Sequence, residues 1–345
     1  MKEKWSKLSQ KQAFWPVIIF LAILLFNGIV SKGEFFSLSI VDGHLYGRII
    51  DIFRNGSKLM ILAAGMTMVL ATGGTDISVG SVMAISGAIA CSVINGNILP
   101  GLNGNVGAAI CLAILAGTLC GIWNGFLVAK VKIQPIVATM ILLVAGRGIA
   151  QLITNGKIVT ITSDSYYFIN GGYILGLPFP MFIVIFLVGL LILFVGKTAF
   201  GLFLESVGCN PKASKFAGIQ VDKMLLVIYT ISGAFAAVAG LIESSGIKGA
   251  DCNNAGLNIE LDAILAVAIG GTNLMGGRFS IPASIAGALI VQSITTTVLA
   301  LGVPAAYIRV LKAVLIIVIC LSQSKELKAM FTARKAAKKR KVVGE

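Results

Sequence analysis

Two short stretches hold most of the side chains that could do chemistry. The first is Thr-Gly-Gly-Thr-Asp-Ile-Ser-Val-Gly at residues 72–80, and the second is Gly-Gly-Thr-Asn-Leu-Met-Gly-Gly at 270–277. Each sets hydroxyl and amide or carboxyl groups beside paired glycines, and each interrupts long apolar sequence. Other ionisable groups in such surroundings are few: Arg147, Glu243, and the cluster Asp251, Glu260 and Asp262. A charge at the centre of a membrane helix costs roughly 2.5 to 3.5 kcal/mol on insertion scales, so Arg147 is expected to face protein or water, as a cavity or ion-pair residue. Asp251, Asn253, Asn254, Glu260 and Asp262 would hydrogen-bond a hydroxyl-rich ligand, although an ordinary wet loop has the same composition.

Enzyme chemistry finds little support. His44 is the single histidine, which excludes a multi-histidine metal site and a histidine relay within one chain. Cys91, Cys111, Cys120, Cys209, Cys252 and Cys320 form no C-x-x-C pair, and most lie in apolar runs where packing is their expected role. Gly196-Lys197-Thr198 lacks the glycine that a phosphate loop needs five residues earlier, where Leu191 stands. No catalytic residue, metal site or cofactor is expected, and any ATP chemistry must belong to a partner.

These residues must be positioned by membrane helices. The chain is 57% hydrophobic and 12% charged with a mean hydropathy of +0.94, and runs such as Met-Phe-Ile-Val-Ile-Phe-Leu-Val-Gly-Leu-Leu-Ile-Leu exclude the alternating pattern of a β-barrel. Apolar stretches at 13–31, 57–71, 78–95, 106–129, 135–153, 179–196, 223–243, 261–271, 281–301 and 304–322 give about ten spans at roughly 20 residues each. The expected fold is an all-α polytopic membrane protein with broken helices, one transmembrane domain over residues 1–345. Net charge is +14, concentrated at both ends. An even span count places the 1–12 segment, the 197–222 connector and the basic 323–345 tail together on the cytoplasmic side, as the positive-inside rule asks, and leaves no role for nucleic acid. The span at 261–271 is short, and the charged stretch at 47–58 suggests a helix lying in the interface, with Leu45, Ile49, Ile52 and Phe53 opposite Arg48 and Arg54.

Unwound backbone at membrane depth is tolerated only inside protein or along a polar cavity, and paired glycine-interrupted segments in two halves of a transporter point to its pathway. With 40 glycines in the chain, close helix packing is the competing use. Ten spans put both breaks on one side, where an inverted repeat would put them on opposite sides. The 196–223 stretch mixes Phe200, Leu202, Phe203, Leu204, Val207, Phe216 and Ile219 with a Gly-Cys-Asn-Pro turn, as a helix, a turn and a second helix would, and suits docking into another protein.

With these residues in view, the chain resembles the membrane permeases of bacterial carbohydrate ABC importers, the ribose and galactose group with a type II-like architecture. Residues 63–88 match the signature around the second and third spans, 260–278 the second signature, and 208–219 the cytoplasmic coupling motif. Ser214 stands where a second Ala is usual, and Leu202 where a basic residue is common. Within the group, residues 42–52, 127–154 and 248–264 look most like the galactofuranose branch. The resemblance implies a cytoplasmic ABC ATPase that binds ATP-Mg, an external sugar-binding protein, a second permease copy or paralogue, and a bacterial inner-membrane location with membrane lipid around the spans. It implies coupling roles for Glu205, Gly208, Asn210, Pro211, Ala213 and Gly218, and pathway roles for Thr75, Asp76, Ser78, Thr272 and Asn273. An ion-driven carrier using Asp76, and a permease of the same type for another sugar or a branched-chain amino acid, are the rival readings.

Overall fold

The computed structural model describes residues 14–304 except 32 and 42, together with 307–314 and 317. The 1–12 segment, the 323–345 tail and much of the 304–322 span lie outside the described residues. Contacts divide the chain into two units, Met1–Thr296 and Thr297–Glu345. In the second, residues 307–314 are helical.

The first unit is built of helices: α1 (Phe14–Val30), α2 (Arg48–Ala71), α3 (Val79–Ile94), α4 (Val106–Phe126, prolonged by a π turn at Leu127–Val131), α5 (Pro135–Ile153), α6 (Asp164–Gly171), α7 (Phe179–Lys197), α8 (Ala199–Cys209), α9 (Pro211–Phe216), α10 (Val221–Gly246) and α11 (Ile259–Ile269). α12 (Ile281–Ala300) runs across the division. Five helices among the described residues are long and apolar enough to cross a membrane: α4 with its π turn, α5, α7, α10 and α12. α1, α3 and α8 are shorter apolar helices.

Local sequence sets the helix ends. Pro135 and Pro211 occupy first-turn positions, where a missing N–H costs nothing. Asn105, Ser163 and Thr198 each accept a hydrogen bond from a backbone N–H of the helix they precede. Three two-stranded ladders tie the connections: β1 (Ser39–Val41) with β2 (His44–Tyr46), β3 (Val159–Thr160) with β6 (Gly249–Ala250), and β4 (Tyr173–Ile174) with β5 (Leu177–Pro178), all antiparallel.

α10 is the axis, packed on α4, α3 and α2. Small residues make that possible. A Cβ on Gly117 would lie 2.8 Å from Gly233 O, one on Gly121 2.9 Å from Thr230 Cα, and one on Gly125 2.9 Å from Leu226 Cα. The glycines recur every fourth residue on one face of α4, so two backbones meet where water-driven burial supplies little.

Two expectations need revision. The 47–58 stretch is no separate interfacial helix: it forms the first turns of α2, which runs unbroken from Arg48 to Ala71. Two of its basic side chains are taken up within the protein, while Asp51 and Asn55 stay exposed. Arg54 Nε donates to Asn170 O at 3.2 Å, Lys58 Nζ sits 3.5 Å from Glu243 Oε1, and Ile52 is fully buried. The 261–271 span is the 11-residue α11, roughly 16 Å long against a hydrocarbon core of about 30 Å. It covers half of a crossing, and the chain before it descends without helix.

Candidate functional site

The first glycine motif is the link between α2 and α3. Its backbone turns out of helix after Ala71, with Gly73 at φ +75°, a left-handed value suited to glycine. Thr72, Gly73 and Gly74 close the helix with backbone bonds, and beyond them side chains take over. Ser78 N donates to Asp76 Oδ1 at 3.0 Å, Ser78 Oγ donates to the same oxygen at 2.6 Å, and Ser232 Oγ of α10 donates to Asp76 Oδ2 at 2.9 Å. Asn124 Nδ2 of α4 donates to Ser78 Oγ at 2.8 Å, and Ile77 N donates to Thr139 Oγ1 of α5 at 3.3 Å. Asp76 is 2% exposed, and Thr75 is half-buried. In this conformation Asp76 and Ser78 together tie their own segment to α10 and α4 from inside protein. Asn124 Oδ1 and Tyr229 Oη are buried without hydrogen-bond partners among the described residues.

The second motif lies between α11 and α12. Asn273 folds it on itself: its Oδ1 accepts from Met275 N at 3.1 Å and its Nδ2 donates to Gly276 O at 3.0 Å. Gly271, Gly276 and Gly277 all have left-handed φ values. Asn273 is exposed, whereas Thr272 is fully buried with Oγ1 lacking a partner among the described residues.

The two motifs meet. Gly277 N donates to Ala71 O at 2.8 Å, and a Cβ on Gly73 would lie 3.3 Å from Met275 O. A third segment joins them, because Gly208 of α8 sits against Ala71 O and Gly277 N, and a Cβ on Gly276 would lie 2.8 Å from Gly208 O. Residues far apart in sequence thus touch backbone to backbone at the end of the bundle that carries α8 and α9. Beyond Gly208, Asn210 Oδ1 accepts from Ala213 N at 3.1 Å and Pro211 opens α9, so the turn is set by a cap and a fixed φ. Ala213 is exposed, Glu205 half-buried, and Gly218 closes the segment at φ +88°. Ser214, the departure noted above, is 5% exposed.

A second junction lies near the middle of α10, whose 26 residues span roughly 39 Å. Asp76 reaches α10 at Ser232, and Ser86 Oγ donates to Ala237 O at 3.0 Å, which places the start of α3 halfway along α10. There Gly80 meets Gly256: a Cβ on Gly256 would lie 2.7 Å from Gly80 O. Gly256 belongs to the stretch that descends from β6 to α11. Arg147 of α5 holds this stretch, with Nη1 donating to Cys252 O at 2.9 Å and to Ala255 O at 2.5 Å. Arg147 therefore clamps carbonyls and makes no carboxylate ion pair among the described residues. Glu260, in the first turn of α11, is 9% exposed; a Cβ on Gly80 would lie 2.8 Å from its Oε2, which has no hydrogen-bond partner among the described residues. Above, Gln151 Nε2 donates to Asn253 Oδ1 at 2.7 Å, and Asp251 accepts from Asn253 N, Asn254 N and Asn254 Nδ2. The Asn254 side chain is the main reason the Asp251 carboxyl is held below the usual carboxylate range.

Sequence reading finds both motifs, Arg147 and the α8–α9 segment. It misses Ser232, Asn124 and Thr139, polar residues scattered in mostly apolar helices, where nothing local sets them apart from neighbours such as Thr230, Thr118 or Gln151. Among the described residues no group of three or more His, Cys, Asp or Glu could hold a metal ion.

A family model described as branched-chain amino acid transport system / permease component matches residues 48–320. The chain is 45% identical over 316 residues to the galactofuranose transporter permease protein of Escherichia coli strain K12, covering 90% of each. It is 37% identical to the fructose import permease protein of Bifidobacterium longum, covering 92% of this chain and 89% of that one, and 33% identical to the ribose import permease protein of Escherichia coli strain K12, covering 89% and 92%. No solved structure matches. With its membrane-length helices, its two interrupted segments and these relatives, the chain belongs to the branched-chain amino acid transport system / permease component family, as a multi-pass transport subunit and not an enzyme.

Proposed function

We propose that the chain is the permease of an ATP-driven importer in the bacterial cytoplasmic membrane and that it passes a monosaccharide, galactofuranose. The relatives named for galactofuranose, fructose and ribose support a sugar over a branched-chain amino acid, and the 45% identity supports the first of the three. Both termini lie in the cytoplasm in this reading, so the α8–α9 end faces a cytoplasmic ATPase, while the end carrying residues 251–254 faces an external sugar-binding protein. A second copy or a paralogue completes the pore. ATP-Mg is held by the ATPase, and this chain carries no cofactor.

One observation carries the mechanism: Gly208 touches both helix interruptions at once. The ATPase docks on the coupling residues Glu205, Asn210, Pro211, Ala213 and Gly218. Closure of the ATPase pair displaces α8 and α9, and at Gly208 backbone meets backbone, so the displacement is not absorbed by flexible side chains. It passes to the end of α2 and to the α11–α12 link. Asp76 and Ser78 tie that end to the middle of α10, where the seam of Gly80 with Gly256 and the Arg147 clamp lie. Thr75, Asp76, Ser78, Arg147, Thr272 and Asn273 then border a pathway that opens to one side at a time.

The test is uptake of labelled galactose in its furanose and pyranose forms by cells with and without this chain. Deletion should remove an uptake that survives a proton uncoupler and stops when ATP is depleted, with the furanose form preferred. Uptake abolished by the uncoupler alone would replace this reading with an ion-driven carrier, and unchanged sugar uptake with lost leucine uptake would move the substrate to the amino acids.

A further inference from the structure

Two cavities open side by side where α8 and α9 meet the start of α10, and they share a wall formed by Gly218, Ile219, Gln220 and Lys223. The first, about 380 Å³, is basic: Lys130 of the π turn, Lys215 of α9 and Lys223 of α10 all line it. Its one carboxylate, Asp222, is already bonded to Lys132 Nζ at 2.5 Å. None of the three lining lysines is ion-paired among the described residues. The second cavity, about 440 Å³, is walled by Phe200 and Phe203 of α8 and by Met224 and Val227 of α10. Phe203 and Val227 remain about two-fifths exposed. Three lysines converge on one cavity whose single carboxylate, Asp222, is engaged first by Lys132, so positive charge is left in excess, and an open apolar groove begins at its edge.

We infer that these cavities together hold one anionic phospholipid of the cytoplasmic leaflet, its phosphate among Lys130, Lys215 and Lys223 and an acyl chain along the groove between α8 and α10. The orientation rests on the reading above. Charge complementarity fixes the head, since a basic pocket beside membrane helices on the cytoplasmic side suits an anionic headgroup. The groove fixes the rest, because inorganic phosphate would leave it open and an acidic protein surface would not fill it. Such a lipid spans the residues on either side of Gly218, where the docking segment returns to the membrane. It braces α9 against α10 directly behind the surface offered to the ATPase.

The experiment extracts the permease from membranes containing phosphatidylglycerol and phosphatidylcholine and counts retained lipid by native mass spectrometry. Wild type should keep one phosphatidylglycerol. K130Q/K215Q/K223Q should lose it, each lysine strengthening the attraction about fivefold. Lys-to-Arg changes at the same three positions should keep it, and Val227→Trp, which fills the groove with the charges intact, should weaken it. Because neither sugar nor ATPase is present, failure of the transport reading leaves this result standing, and Val227→Trp decides the matter should the triple variant not fold. Retention unchanged in both variants overturns the proposal. So does inorganic phosphate competing as well as lipid with Val227→Trp silent, which makes the site one for a free anion. Lipid retained by the triple variant, with affinity for the ATPase lost in a separate binding assay, also overturns it, assigning the basic cavity to the protein partner.

Discussion

The two glycine motifs share the letters Gly-Gly-Thr followed by Asp or Asn, yet they are held in opposite ways. The stretch around Asp76 is fixed from outside, by Ser232, Asn124 and Thr139 reaching in from three other helices. The stretch around Asn273 is fixed from within, by that residue's own side chain, and its bond to a distant element runs from Gly277 to Ala71. A carboxylate accepts from several donors at once and can gather helices around it, whereas an amide that both donates and accepts suits a self-contained turn. Similar sequence therefore serves an anchored strut in one place and a self-held joint in the other.

Gly208 is where that difference can be broken most severely, because it touches both motifs. Gly208→Asp should abolish uptake while membrane insertion continues, since the new side chain collides with Ala71 O and Gly277 N at the surface of a formed bundle. Normal uptake by this variant, measured at matched membrane abundance, would remove the junction from the mechanism. Asp76 comes next. Asp76→Ala leaves Ser78 N and Ser232 Oγ buried without their acceptor, at about 1 to 3 kcal/mol for each stranded group. Asp76→Asn keeps an acceptor oxygen and should lose roughly half as much. Thermal unfolding of the purified permease in detergent measures both. Equal losses would show that the anchoring does not depend on the acceptor.

How far sequence carries this comparison depends on the range of the interactions. Runs of apolar residues place most of the described membrane helices to within a few positions, the start of α2 excepted, because spanning hydrocarbon is a local requirement of length and composition. Asn210 and Pro211 are readable as a turn for the same reason, being a cap and a fixed dihedral. Long-range pairing is not readable. Nothing near Gly208 in the chain announces Ala71 or Gly277, and nothing near Asp76 announces Ser232, 156 residues away. The misreading of residues 47–58 has the same origin: charged residues look interfacial because Asn170 and Glu243, which receive Arg54 and Lys58, are distant in sequence.

Asn273→Ala tests the joint. Removing one self-contained turn should cost about 1 kcal/mol, as loss of a helix cap does, well below the cost of Asp76→Ala. Uptake should fall more than stability, since the loop touches Gly208 and the end of α2 while its side chain holds no other helix. A stability loss matching that of Asp76→Ala would erase the distinction between strut and joint.

The smallest effect concerns the stretch that descends to the second junction, where Asp251 plays at the far end of α11 the self-bonding part that Asn273 plays at the near end. Asp251 accepts from Asn254 Nδ2 and from two backbone N–H groups, and its carboxyl is held below the usual range. A depressed folded value means that the stabilisation is fully present above the unfolded carboxyl value of about 3.9 and is lost as pH falls through the folded value. Hydrogen exchange at the Asn253 and Asn254 amides should thus show no Asp251-linked opening from about pH 8 to 5, and an added opening below about pH 4. Asn254→Ala removes the largest cause of the depression and should move that opening to higher pH. If the variant opens at the same pH as wild type, the Asn254 side chain is not what holds the turn, and Arg147 and Gln151 must keep the descending stretch in place.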